Sequence, residues 1–222
     1  MKWIKHTGLV LIFLGTVQMA DGQGKMKFSV HADPQFAWFS SSDDSISPDG
    51  SIFHVQAGLQ MENYFQENYA FYVGFGINNL GGNLLYLRSE DYISSDEDTL
   101  TIDAGQSVKM NLQYLAIPLG LKLKTEELGY ATAFLQIGFN PMFNINGHIS
   151  SKDGTFDKDN IMESIHLFHL GYHVGAGVEY RLGGNTSVIG GIRWSSGFTN
   201  VTDKDGANIS LNALSINLGI LF

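Results

Sequence analysis

The sequence predicts an all-β fold, an eight-stranded antiparallel transmembrane β-barrel with short periplasmic turns and long extracellular loops, on three observations. Apolar and polar residues alternate along eight stretches, the period that puts every second side chain on one face of a strand. Connections alternate between long polar segments, at about 40–51, 79–107, 146–163 and 197–208, and tight turns near 66–68, 125–129 and 183–185. Outer-membrane barrels have that asymmetry. The last stretch keeps Leu214, Ile216, Leu218, Ile220 and Phe222 on one face up to the C-terminal aromatic.

Residues 1–22 read as a secretory signal peptide: Lys2 and Lys5, an apolar run from about Leu9 to Val17, then small residues at Ala20 and Gly22. That run is too short to span a bilayer as a helix, and no other run approaches the roughly twenty apolar residues that a spanning helix needs. The barrel domain is expected over 23–222. A mean hydropathy of −0.01 fits a barrel, because lumen and lipid residues average out. The absence of cysteine excludes disulfides, thiolate chemistry and a lipoprotein anchor. Loss of Lys2, Lys5 and Asp21 makes the formal charge of −9 one unit more negative, so nucleic acid is not an expected partner.

Strand one, about 26–39, points Phe28, Val30, Ala32, Phe36 and Trp38 outward and Ser29, His31, Asp33 and Gln35 inward. Strand two, from about Ile52, turns Phe53, Val55, Ala57, Leu59 and Met61 out. Strand three, from near Tyr69, does the same with Phe71, Val73, Phe75 and Ile77. Strand four, about 108–124, sends Leu115, Ile117, Leu119, Leu121 and Leu123 outward. Met110 and Leu112 have the opposite parity, which a bulge near Tyr114 would reconcile. Strand five spans about 130–144, strand six about 168–182, and strand seven, from about Thr186, leads into the closing strand. With an even strand count no edge is left, and both termini are periplasmic.

Trp38, Trp194 and Phe143 fall near long-loop ends while Tyr69, Tyr180 and Phe222 fall near short-turn ends, as two interfacial girdles require. A soluble sandwich or lipocalin-like barrel is the competing fold. The inward faces, however, carry Gly74, Gly76, Gly138, Gly171, Gly175, Gly177 and Gly219, which suit a crowded lumen better than a solvated surface. Pro34, Pro118 and Pro141 each remove a ladder donor, so local bulges are expected.

The segment Tyr114-Leu115-Ala116-Ile117-Pro118-Leu119-Gly120-Leu121-Lys122 resembles the Tyr-Leu-x-Ile-Pro-Leu-x-Leu-Lys signature of the PorT-like outer-membrane β-barrel family of Bacteroidota. The resemblance implies an outer-membrane barrel with barrel-assembly machinery as a folding partner. It implies no catalytic residues, and the founding member's role in type IX secretion does not transfer.

Glu62, Lys122, Glu179, Arg181 and Arg193 all face inward and form the candidate lumen charge network. Eight strands leave a bore that side chains fill, so the simplest expectation is mutual pairing in a plug. An ion-pair gate for ions or small solutes is the sharper alternative. His31, His54, His169 and His173 also face inward, but the last two are about 13 Å apart along one strand and cannot share an ion. No metal site, cofactor site or catalytic site is assigned. A lipid A-modifying enzyme would need a nucleophile and base, for which His148-Ile149-Ser150 offers only a short match at the start of loop three.

The loops carry Asp43, Asp44, Asp49, Glu90, Asp91, Asp96, Glu97, Asp98, Asp103, Asp153, Asp157, Asp159, Asp203 and Asp205, an acidic crown. Asp203-Lys204-Asp205-Gly206 starts like a calcium loop but lacks the later glutamate. Leu84 to Leu87 and Thr99 to Ile102 keep strand character around an acidic tip, making Asp96, Glu97 and Asp98 the candidate loop contact. The expectation is a non-enzymatic outer-membrane protein acting structurally, or as a binding or secretion-accessory component through its loops. Its surroundings would be outer-membrane lipid and lipopolysaccharide, with a secretion or surface protein as the partner class.

Overall fold

A computed structural model describes residues 26–42, 44–93, 99–152, 159–202 and 209–222. Its strands are β1 (Met26–Ser41), β2 (Ile46–Pro48), β3 (Ile52–Gln66), β4 (Tyr69–Tyr86), β5 (Glu90–Ile93), β6 (Thr99–Ile102), β7 (Ser107–Ala116), β8 (Leu119–Lys124), β9 (Ala131–Ser151), β10 (Asp159–Asn160), β11 (Phe168–Gly183), β12 (Thr186–Gly197) and β13 (Ile209–Leu221). A 3₁₀ turn covers Met162–Ser164. Eight antiparallel staves form a ring in which β1 pairs β3, β3 pairs β4, and β4 pairs the consecutive strands β7 and β8. The ring continues through β9, β11, β12 and β13 back to β1. This is the eight-stranded barrel expected from the alternation.

Phe28, Val30 and Phe36 on β1, Leu59 on β3, Phe71 and Phe75 on β4, and Ile216 and Leu218 on β13 are all exposed on the outer surface. Ser29, His31, Asp33 and Gln35 on β1 and Asn217 on β13 are buried inside. That is the reverse of a water-soluble barrel, and lipid is the medium that accommodates it.

Above the belt the polarity inverts. On β4 the outward Phe75 and Ile77 give way to Asn79 and Asn83, while the inner face changes from Tyr72 and Asn78 to Leu80, Leu84 and Tyr86. On β7, Val108, Met110, Leu112 and Tyr114 are buried with Lys109, Asn111 and Gln113 outside. Strand four therefore needs no bulge of its own. Its parity is continuous from Val108 to Ala116, and Met110 and Leu112 face an apolar core because this wall rises past the belt into a polar medium. The register shift at Gln113/Tyr114 belongs to β9, where Ile145 is the extra residue between Asn144 and Asn146.

That core closes the long-loop end of the barrel. Phe39, Leu84, Met110 and Leu112 from the staves meet Ile46 on β2, Ile102 on β6, and Ile161, Ile165 and Val201 from the connections. Three expectations change accordingly. Residues 99–102 pair with 90–93 and not with 84–87, because Leu84 and Tyr86 are already committed to the core. Strand five runs on to Ser151, so His148, Ile149 and Ser150 lie in β9 opposite Asn111, Met110 and Lys109, and not in a loop. No register shift falls at a proline. Pro118 separates β7 from β8, while Gly74 N–H donates to its carbonyl at 2.7 Å and Ile117 N–H donates to Pro141 O at 2.9 Å. Pro141 sits in unbroken register with Leu170.

At the β1–β13 seam, pairing lapses between His31↔Gly219 and Gln35↔Ser215, around Pro34. The leader 1–22, the tip residues Asp96, Glu97 and Asp98, and Asp43, Asp153, Asp157, Asp203 and Asp205 lie outside the described residues.

Candidate functional site

The lumen is layered. Nearest the short turns, Glu62 of β3, Lys122 and Lys124 of β8 and Glu179 of β11 converge because period two turns each of them inward. Lys122 Nζ lies 2.5 Å from Glu62 Oε1 and 2.5 Å from Glu179 Oε1, and Lys124 pairs with Glu179 Oε2. Tyr64 OH donates to Glu62 Oε2 at 2.6 Å, and Gln60 donates to Oε1 at 3.1 Å. The Lys122 ammonium also sits 4.7 Å from the Phe134 ring centroid. Glu62 and Lys122 are removed from solvent. Two buried carboxylates sharing one ammonium are held by geometry, since desolvation consumes most of the Coulomb gain.

A second cluster surrounds Asp33. Its Oδ2 lies 3.0 Å from His31 Nδ1 and 3.5 Å from Arg193 Nη1. Its Oδ1 accepts from the Asn217 side chain at 3.1 Å and from the Leu218 backbone N–H at 3.0 Å. Arg193 Nη2 also donates to Gln136 at 3.2 Å. In these two clusters three carboxylates meet three cations, so the charges balance. Tyr72 OH bonds His173 Nε2 across the bore. Glycine makes that reach possible, since a Cβ on Gly138 would stand 2.6 Å from the Tyr72 hydroxyl and one on Gly120 2.8 Å.

A neutral layer follows. Gln35 Nε2 donates to Asn78 Oδ1 at 2.7 Å and to Asn79 O at 2.8 Å, and Thr199 Oγ1 lies 3.0 Å from His169 Nδ1. Asn78, Asn140, His169 and Asn212 help line a cavity of about 10 Å³, room for a single water. Beyond it lies the apolar core.

The structure brings Glu62, Lys122 and Glu179 into contact and places Arg193 in the Asp33 cluster. Arg181 lies apart, half-exposed at the turn end and paired with Glu127 of the β8–β9 connection, because β11 emerges from the barrel there. Sequence reasoning passed over Lys124, Tyr64 and Asp33. Lys124 shares the parity of Lys122, and Asp33 was already in the inward set, so both were findable. His31, His169 and His173 bond to Asp33, Thr199 and Tyr72 in turn, and no cluster of three metal-ligating residues occurs among the described residues. His148 and Ser150 face outward on the rising part of β9.

At the long-loop end, Asp49 between β2 and β3 accepts from Lys152 at 2.6 Å and from Ser107. The Lys152 and Ser107 hydrogen bonds hold its carboxyl below the usual range.

A family model described as outer membrane protein beta-barrel domain matches residues 23–203. The chain belongs to that family. It is an outer-membrane β-barrel protein, with a polar interior, an apolar belt and a closed ring. Among solved structures it is similar to Neisserial surface protein A, at 14% identity over 87% of this chain and 95% of that one, with a TM-score of 0.45. Ail, the attachment invasion locus protein of Yersinia pestis, is 11% identical over 90% and 100%, TM-score 0.45. OprG from Pseudomonas aeruginosa is 15% identical over 90% and 98%, TM-score 0.42. No curated protein matches.

Proposed function

We propose that this protein is a non-enzymatic, non-conducting barrel of the bacterial outer membrane that acts as a structural, binding or secretion-accessory component through its long-loop end. One observation carries the reading: two chemically different layers occupy the bore in series, the Glu62–Lys122–Glu179–Lys124 cluster and the apolar core around Met110 and Leu112. An ion that passed the first would meet a desolvating barrier at the second. The mature chain begins after the leader at about residue 23, both termini are periplasmic, and the long loops are extracellular, a reading supported by the asymmetry of connector lengths. The Tyr114 to Lys122 segment supports placement among the PorT-like barrels of Bacteroidota. Asp96, Glu97 and Asp98 are the proposed contact for a basic surface or secretion partner, on the strength of their clustered charge.

Planar bilayers test the reading. The mature protein is expected to be electrically silent, and reproducible unitary steps would overturn it. A gated pore is the second reading, supported by the sharing of Lys122 between two carboxylates at 2.5 Å each, an arrangement in which partner exchange could open the ionic layer. Steps abolished by Arg193→Ala, in a variant that keeps the heat-modifiable mobility of the folded barrel, would establish it. A lipid A-modifying activity would show as a changed acyl pattern in lipid A mass spectra of cells carrying the protein, and an unchanged pattern is expected.

A further inference from the structure

The neutral layer holds a set of side chains that neither the ring of strands nor the plug of charges uses. His169 of β11 and Met142 of β9 are direct cross-strand partners, and both are buried in the bore. Opposed residues of an antiparallel pair have Cβ atoms about 4.5 to 5.5 Å apart, close enough for an imidazole and a thioether to converge on one atom. With Asn78 and Asn140 they line the cavity of about 10 Å³. A space of that size admits one water or one bare ion and nothing larger.

Its free atoms decide between the two. Asn78 Nδ2 and Asn140 Nδ2 both donate to Met142 Sδ at 3.5 Å, so these amide donors are spent and the thioether is held in place. Among the residues lining the cavity, the buried side-chain atoms without a hydrogen-bond partner are Asn140 Oδ1 and His169 Nε2. The first can only accept. So can the second when Nδ1–H is given to Thr199 Oγ1, which lies 3.0 Å from Nδ1 and is itself held by the Leu170 N–H at 3.0 Å. A hydrogen bond from the far ring nitrogen is what orients a ligating histidine. Gly197 keeps the near side clear, since a Cβ there would stand 2.5 Å from Nε2. A water would bring lone pairs that find no free donor, whereas acceptors alone suit a cation.

The donors also select the cation. No carboxylate lines the cavity, so a divalent ion would meet its desolvation cost with no counter-charge. No three histidines or acidic side chains gather to hold a metal among the described residues, which leaves one imidazole, one thioether and one amide oxygen as the ligands here. Thioether sulfur favours soft ions such as copper(I). We propose that His169 Nε2, Met142 Sδ and Asn140 Oδ1 form a site for one soft monovalent cation, copper(I), in the neutral layer of the bore.

Metal retention tests it. The mature chain is refolded into micelles with silver(I), the air-stable analogue of copper(I), so that the metal reaches the bore before the barrel closes. Parallel samples receive copper(I) without oxygen, or zinc(II). Free metal is removed, and native mass spectrometry counts the ions retained. One silver(I) or copper(I) per chain is expected, and no zinc(II). Met142→Leu and His169→Leu should each weaken retention about tenfold or more, and Thr199→Val, which frees the ring without removing a ligand, about tenfold. Met162→Leu, on the 3₁₀ turn, should change nothing. Heat-modifiable mobility verifies folding of each variant. Retention unaffected by both ligand variants, or equal retention of zinc(II), overturns the site, and no retained silver(I) or copper(I) means that the cavity holds water alone and overturns it as well. Should the ligand variants fail to fold, the parent protein decides. The ¹⁵Nε2 resonance of His169 and the ¹³Cε resonance of Met142 should both move on loading with silver(I), and if either stays in place the site is wrong.

Discussion

The Asp33 carboxylate accepts the backbone N–H of Leu218 at 3.0 Å, so a side chain occupies a rung of the seam between the first and last staves. Phe28 and Phe222 exchange both backbone bonds at the turn end, at 3.2 and 2.7 Å, which makes even-numbered β1 residues the bonding partners of β13. Pro34 falls on that parity and has no N–H to give. The ladder lapses around it, and the neighbouring carboxylate serves Leu218 and Asn217 instead.

Substitution at Asp33 should therefore separate acceptor from charge. Asp33→Asn keeps an oxygen for Leu218 and preserves slow amide exchange there, while Asp33→Leu accelerates it. Pro34→Ala restores a donor and should reduce the effect of Asp33→Leu. Hydrogen exchange at Leu218 in the folded barrel reads all three. Equal protection in Asp33→Leu and the parent would show that the carboxylate does not hold the seam.

Removing Lys122 leaves Glu62 and Glu179 without their shared cation in a buried layer. Lys122→Met is expected to lower unfolding stability by about 3 to 5 kcal/mol, and adding Glu62→Gln to recover part of that loss. Urea titration in lipid vesicles measures both. A loss under about 1 kcal/mol, the range of an exposed pair, would mean that water reaches the cluster.

Depth should decide the cost of a charge on the outer wall. Val174→Arg, in the apolar belt of β11, should cost about 2 to 4 kcal/mol, whereas Asn111→Arg, above the belt on β7, should cost about 0 to 1 kcal/mol. Comparable unfolding midpoints for the two variants would remove the distinction between belt and rising wall.

Acid should loosen the long-loop end through Asp49. Hydrogen bonds from Lys152 and Ser107 hold its carboxyl below the usual carboxylate range, so its contribution is present above that range and is lost as pH falls through the lower, folded value. Protection factors of the Asp49 and Lys152 amides, which correct for the intrinsic slowing of exchange in acid, should fall below about pH 4 with the barrel intact. Asp49→Asn should remove that pH dependence. An exchange profile identical in the two proteins would rule the interaction out as its cause.

Period two, with the alternation of long and short connections, determined the eight staves and the facing of most of their residues, because a strand whose two faces meet different media writes that difference into every second residue. Inward residues such as Glu62, Lys122 and Glu179 were legible for the same reason. Parity cannot report which medium lies on each side, so Met110 and Leu112 looked displaced when the surroundings had changed instead. Nor does it fix the shear between strands. Only the assembled ring decided that Lys122 stands between two carboxylates, that Arg181 turns away to Glu127, and that Asp33 reaches Leu218 across the closing seam. Those pairings depend on the relative heights of residues far apart in the chain, and height is set by register and tilt around the whole barrel.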